Sequence, residues 1–146
     1  MKVLVDTNIL LRSVQKNHPA CRTARQALVS LYRGEYSLYL TQQNVAEFWN
    51  VCTRPINVNG LGLKIEETDH YTNQLEKFFS ILPDSTKAFR TWRRLLVDYS
   101  VAGVKVHDAR IVAVMITYEI PQIVTFNTSD FARFPDIRAV HPSELK

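Results

Sequence analysis

At 146 residues, with 46% apolar and 22% charged side chains, the chain is long enough to bury the core of one domain over residues 1–146 and too mixed to be disordered or membrane-spanning. Lys and Arg outnumber Asp and Glu by 18 to 14, an excess that permits a polyanionic partner without demanding one. Cys21 and Cys52 lack metal-ligand spacing, which points away from zinc and toward reduced thiols in the core; no signal-peptide pattern and no run of membrane-span length occur, so a cytoplasmic, membrane-free location is expected.

Taken in order, Val3-Leu4-Val5 reads as a strand buried on both faces of a parallel sheet, and Asp6 ends it. Thr7 and Asn8 carry short polar side chains suited to capping the next segment or orienting Asp6. His18-Pro19 opens a helix in which Ala20, Ala24, Ala27, Leu28 and Leu31 recur at helical spacing until Gly34. Ser37 to Thr41 reads as a second strand, parallel to the first because a helical crossover separates them. In the helix that follows, Val45, Phe48, Trp49 and Cys52 share a face, and Glu47 falls in its first turns, toward the same sheet edge as Asp6. Arg54-Pro55 through Leu63, with Pro55, Asn57, Asn59, Gly60 and Gly62, is a loop by composition.

From Ile65 the apolar positions Tyr71, Leu75, Phe78, Phe79 and Leu82 step at helical intervals, with a short third strand at Ile81-Leu82. Asp84 or Ser85 caps a helix whose inward stripe is read as Ala88, Phe89, Trp92, Leu95, Leu96 and Tyr99; Lys87, Arg90, Arg93 and Arg94 read as a solvated face in preference to a phosphate-tracking strip. Val106 to Ile116 reads as a buried helix with Asp108 at its start, and Gln122 to Phe126 as a fourth strand running into Asn127 and Asp130. Ile137 to Val140 makes an edge strand.

Asp6, Glu47, Asp108, Asn127 and Asp130 thus all fall on the carboxyl side of the sheet, where open α/β sheets bind ligands. The bland reading of Asp6 and Asp108 is that each caps a helix. Gathered together, however, carboxylates repel one another unless a cation joins them, and hard oxygens without matching Cys or His favour Mg²⁺ or Mn²⁺.

These residues resemble the PIN-domain ribonucleases, and within them the VapC-like toxins of toxin–antitoxin pairs, through Val5-Asp6-Thr7-Asn8, Glu47 in Asn44-Val45-Ala46-Glu47-Phe48, His107-Asp108-Ala109 and Thr125-Phe126-Asn127-Thr128-Ser129-Asp130-Phe131. The resemblance implies a five-stranded parallel sheet in a three-layer α/β/α sandwich. It also implies a Mg²⁺- or Mn²⁺-dependent endonuclease for single-stranded regions of RNA, with a cognate antitoxin and a homodimer as partners. In that scheme Asp6, Glu47 and Asp108 match the three principal acids, while the fourth acidic position falls on Asn127, with Asp130 as a nearby substitute; Thr7, Asn8 and Thr125 match supporting positions. Lys105, His107, read as a loop residue, and Arg110 are candidate RNA contacts. Trp49 and Trp92 read as core, and Tyr32, Tyr36 and Phe48 as part of a dimer face or antitoxin groove. Two other function classes compete: a PIN-like RNA-binding or regulatory module with an incomplete acidic quartet, and a phosphotransfer domain, which lacks here the second Asp and the late Lys it would want.

Overall fold

The computed structural model describes residues 1–145. Strand β1 (Lys2–Val5) is central, and its alternation sets the layers. Leu4 joins one apolar cluster, while Val3 and Val5 join another on the opposite face. Around it lie β2 (Ser37–Thr41), β3 (Ser80–Leu82), β4 (Gln122–Val124) and β5 (Arg138–Val140), in the order β3-β2-β1-β4-β5, with every neighbouring pair parallel.

Helices α1 (Thr7–Val14), α2 (Cys21–Arg33), α3 (Gln42–Thr53) and α4 (Ile65–Phe78) cover the Val3/Val5 face, and α5 (Thr86–Asp98) and α6 (Val106–Thr117) cover the Leu4 face. The result is the expected three-layer α/β/α sandwich on a five-stranded parallel sheet. α6 is buried along Ala109, Ile111, Val112, Ala113, Val114 and Met115, as its nearly continuous apolar sequence requires. Both cysteines are buried free thiols, and burial pushes Cys52 up to about 11. Among the described residues no helix is long and apolar enough to cross a membrane.

The chain departs from its sequence pattern at several points. β4 ends at Val124: Thr125 N–H still pairs with the Val140 carbonyl (3.0 Å), but side chains claim the two amides beyond it, Phe126 N–H donating to Asn8 Oδ1 (3.3 Å) and Asn127 N–H to Thr125 Oγ1 (3.0 Å). Phe78 is 48% exposed and Phe89 52% exposed, each about one helical step of 100° off the inward stripe of its helix. Phe78 instead stands edge-on to Tyr32 of α2, ring centroids 5.3 Å apart. Phe48 is only 1% exposed, packed among Leu10, Leu40 and Cys52, so it cannot belong to a docking face. Lys87, Arg90, Arg93 and Arg94 are exposed, as read.

Candidate active site

The sheet order reverses between β1 and β4, and the loops leaving those two strands diverge there. Asp6 sits at that switch point. Its backbone N–H donates to the Val124 carbonyl (2.9 Å), which welds the ends of the two strands. Its carboxylate caps α1 by accepting from Thr7 N–H (2.8 Å), but the other oxygen accepts from Thr125 Oγ1 (2.7 Å) and, at 3.4 Å, from Asn8 Nδ2. Capping is therefore only part of its role. Thr125 is fully buried, and its hydroxyl also accepts from Asn8 Nδ2 at 3.2 Å.

Glu47 enters from the second crossover. β2 runs straight into α3, whose first turn is closed by reciprocal bonds: Asn44 N–H donates to Thr41 Oγ1 (3.1 Å) and Thr41 N–H to Asn44 Oδ1 (2.9 Å). Asn44, fully buried, turns its Nδ2 to Thr7 Oγ1 (3.1 Å). The Thr7 hydroxyl in turn donates to Glu47 Oε2 (2.9 Å), and Gln43, one turn before Glu47, donates to Glu47 Oε1 (2.9 Å) and to the His107 carbonyl (3.0 Å). Gln43 Oε1 is left buried with no donor among the described residues. Asn44 and Gln43 went unassigned in the sequence; the Thr41-x-x-Asn44 spacing, close to a capping box, is the signal that marks the first of them.

Asp108 lies in the first turn of α6, at the far end of that Gln43 bridge, and makes no hydrogen bond through its side chain to the other described residues. Lys105 Nζ stands 3.9 Å from it and 2.9 Å from Asp130. Burial first, then the Asp130 charge, raises the Asp108 pKa, against the opposing pull of Lys105. Asp6 is pushed up to about 6, chiefly by burial, with Glu47 and Asp108 adding repulsion and the Thr125 and Thr7 hydrogen bonds opposing it. Neither Asp6 nor Glu47 has a cationic partner within 4 Å among the described residues.

The structure thus brings Asp6, Thr7, Asn8, Glu47, Thr125, Asp108, Asp130 and Lys105 to one rim of the sheet. Asn127 is exposed, tied in through its backbone N–H, and its side chain has no hydrogen bond to the other described residues. His107 is exposed on the first turn of α6, not in a loop, and Arg110 pairs with Asp84 (3.1 Å) away from the acids. By chemistry the carboxylates fit a hard divalent cation: all donors are oxygen, and among the described residues only Lys105, beside Asp108 and Asp130, answers their charge within 4 Å. As the side chains stand, no three acidic, His or Cys groups among the described residues converge closely enough to grip an ion.

The profile of the PIN domain matches residues 3–137. No curated protein shows significant similarity to the chain. Among solved structures, it is similar to a toxin-antitoxin complex from Klebsiella pneumoniae (24% identity, TM-score 0.66, covering 96% of this chain and 97% of that one). It is also similar to VapBC2 from Rickettsia felis bound to a promoter DNA fragment (16% identity, TM-score 0.71, covering 97% of this chain and 98% of that one). A third is VapC20 from Mycobacterium tuberculosis, a toxin that cleaves the sarcin-ricin loop (15%, 0.70, 90% of this chain and 95% of that one). At these identities the likeness is one of fold.

Proposed function

This chain belongs to the PIN-domain family, and from that premise we propose that it is a Mg²⁺- or Mn²⁺-dependent endoribonuclease cutting single-stranded regions of RNA, the toxin of a cytoplasmic toxin–antitoxin pair. The observation that carries the reading is the concentration of Asp6, Glu47 and Asp108 at the switch point, oriented by neutral Thr7, Thr125 and Gln43 and short of positive charge. Such a site is costly to an isolated protein and suited to a cation and a phosphodiester.

Asp6, Glu47 and Asp108 would hold the ion, with Asp130 as a further oxygen donor beside Asp108. When bound, the ion supplies Lewis acidity toward a phosphoryl oxygen and offsets charge in the transition state. The protein's own residues divide the remaining work. Thr7 N–H and the Thr125 hydroxyl favour the ionised form of Asp6, and Thr7 and Gln43 fix both oxygens of Glu47. Asp108, unlike Asp6 and Glu47, accepts no side-chain hydrogen bond from the other described residues, which leaves its Oδ1 or Oδ2 free to take a proton from the attacking water, and burial raises its pKa toward that role. Lys105, already beside Asp108 and Asp130, meets the phosphate backbone. Asn127 offers an amide oxygen without charge, and stands outside this division of labour.

An apolar groove of about 440 Å³ between α2 and α4 supports the antitoxin and dimer assignments as a place where a partner is bound. Tyr32, 64% exposed, and Phe78, 48% exposed, form its outer wall, packed edge-on against each other with much of both rings open to solvent. The similar structures from Klebsiella and Rickettsia are themselves toxin–antitoxin assemblies.

The test is cleavage of a pool of cellular RNA by the purified chain with Mg²⁺, Mn²⁺ or EDTA, beside Asp6→Asn and Asp108→Asn. Discrete fragments that need metal and vanish in Asp6→Asn are expected, with Asp108→Asn slower by about 10²- to 10⁴-fold. RNA left intact by a protein that binds it would overturn the nuclease reading in favour of an RNA-binding module.

A further inference from the structure

Across the first turn of α6 from the acids, a separate cavity of about 430 Å³ opens between α5 and α6. That volume lies within the range of small-ligand pockets, roughly 300–1,000 Å³. Its walls include Phe89, Trp92 and Val114, and its rim Asp84, His107 and Arg110. Trp92 is held in place by donating from Nε1 to the Val106 carbonyl (2.8 Å), and the Phe89 and Trp92 ring centroids lie 6.0 Å apart. Phe89, 52% exposed, therefore presents much of its ring to solvent beside a fixed Trp92.

We infer that this cavity receives a nucleobase of the RNA strand, one or two nucleotides from the phosphate at the acids; the inference rests on the endoribonuclease reading. Three features select a base over an apolar peptide. Lys87, Arg90, Arg93 and Arg94 are exposed on α5 and have no acidic partner within 4 Å among the described residues, and Arg93 follows Phe89 by one helical turn. Of these, Arg93 and Arg90 lie about 40° and 100° around the helix from Phe89, so a strand that places a base on Phe89 lays its phosphates along those two cations. The Asp84–Arg110 pair at the rim, 3.1 Å apart and open to water, offers both an acceptor and a donor fork to a base edge. His107 belongs to the rim while its carbonyl receives Gln43 and its neighbour is Asp108, so a single helical turn sets the cavity's distance from the acids.

The chain has two tryptophans, and Trp49→Phe leaves Trp92 as the only one to report on the cavity. In that background, single-stranded RNA should quench Trp92 fluorescence, while an abasic strand of equal charge should bind about tenfold more weakly and quench little. Phe89→Ala should weaken RNA binding about tenfold, and Phe89→Tyr should restore it. In cleavage, Phe89→Ala should raise KM with little change in kcat and blur the base preference at one position beside the cut. Wild-type cleavage whose KM and cut positions are untouched by Phe89→Ala, with no base-dependent quenching, overturns the base site and leaves the nuclease standing. The absence of cleavage with base-dependent quenching intact does the reverse. A change in solution mass in Phe89→Ala, with RNA binding unaltered, would make the cavity a contact between two copies and overturn the inference.

Discussion

The two sides of the α6 N-terminal turn are built on opposite principles. On the acid side, side chains from the ends of β1 and β4 and from the first turns of α1, α3 and α6 are cross-linked by short hydrogen bonds from neutral residues, and little positive charge answers the carboxylates. On the cavity side the walls are apolar, and the Asp84–Arg110 ion pair stands at the rim in solvent. Burial and mutual repulsion raise the pKa of Asp6 on the acid side, a strain that a proton or a cation would relieve. On the function and base site proposed above, the acids carry chemistry and the cavity carries selection of substrate, so altering one should leave the other in place.

The largest effect that tests this separation falls on Thr125. Thr125→Val removes the 2.7 Å hydrogen bond to Asp6 and the anchor for the Asn127 amide while keeping the side chain's shape. Cleavage should drop by about 10- to 100-fold, the usual cost of losing an orienting partner behind a metal ligand, with KM for RNA unchanged. An equal loss in RNA binding would show that the two sides are not independent.

The strain itself is measurable as pH dependence. Asp6 ionises at about 6 in the folded protein, above the usual ~3.9 of an unfolded chain, so between those values the native state holds more protons than the unfolded one. Stability of the metal-free protein should therefore be greatest at the lower end and fall by roughly 3 kcal/mol as pH rises through the window. Thermal melts in EDTA from pH 4 to pH 7 read this directly, and added Mg²⁺ at pH 7 should restore part of the loss. Cleavage should run the opposite way, declining as pH falls through about 6 and Asp6 takes up its proton. A flat melting profile would mean that the acid side carries no strain.

The smallest effect belongs to Lys105, the one cation within 4 Å of Asp108 and Asp130 among the described residues. As an exposed group it adds little to stability, and Lys105→Met should leave the melting temperature nearly unchanged. By withdrawing a competing charge it should tighten Mg²⁺ or Mn²⁺ binding about two- to fivefold in a direct titration. Weaker metal binding in that variant would show that Lys105 orients the acids and does not compete for them.

Much of this architecture was legible before any coordinates. Val3-Leu4-Val5 could only be a strand buried on both faces, and Ser37 to Thr41 was bounded to the residue, because β-branched runs and turn residues are local signals. Asp6, Glu47 and Asp108 were legible for the same reason: their positions follow from where strands end and helices begin. Asn44 and Gln43 were not, since a polar residue at a helix start looks alike whether it faces solvent or reaches 37 positions back to Thr7 or 64 forward to His107.

What the sequence by itself determined is the order of strands and helices and the residue types standing at their junctions, because periodicity, capping and chain breaks are written within a few residues of where they act. Only the tertiary structure decided which of those junctions meet. That Thr125 donates to Asp6 across 119 positions, that Phe48 is buried while Phe89 is not, and that Arg110 turns to Asp84 and leaves Asp108 to Lys105 all depend on the strand order and on which face of each helix the sheet covers. Those are properties of long-range packing, where a rotation of one helical step separates core from surface.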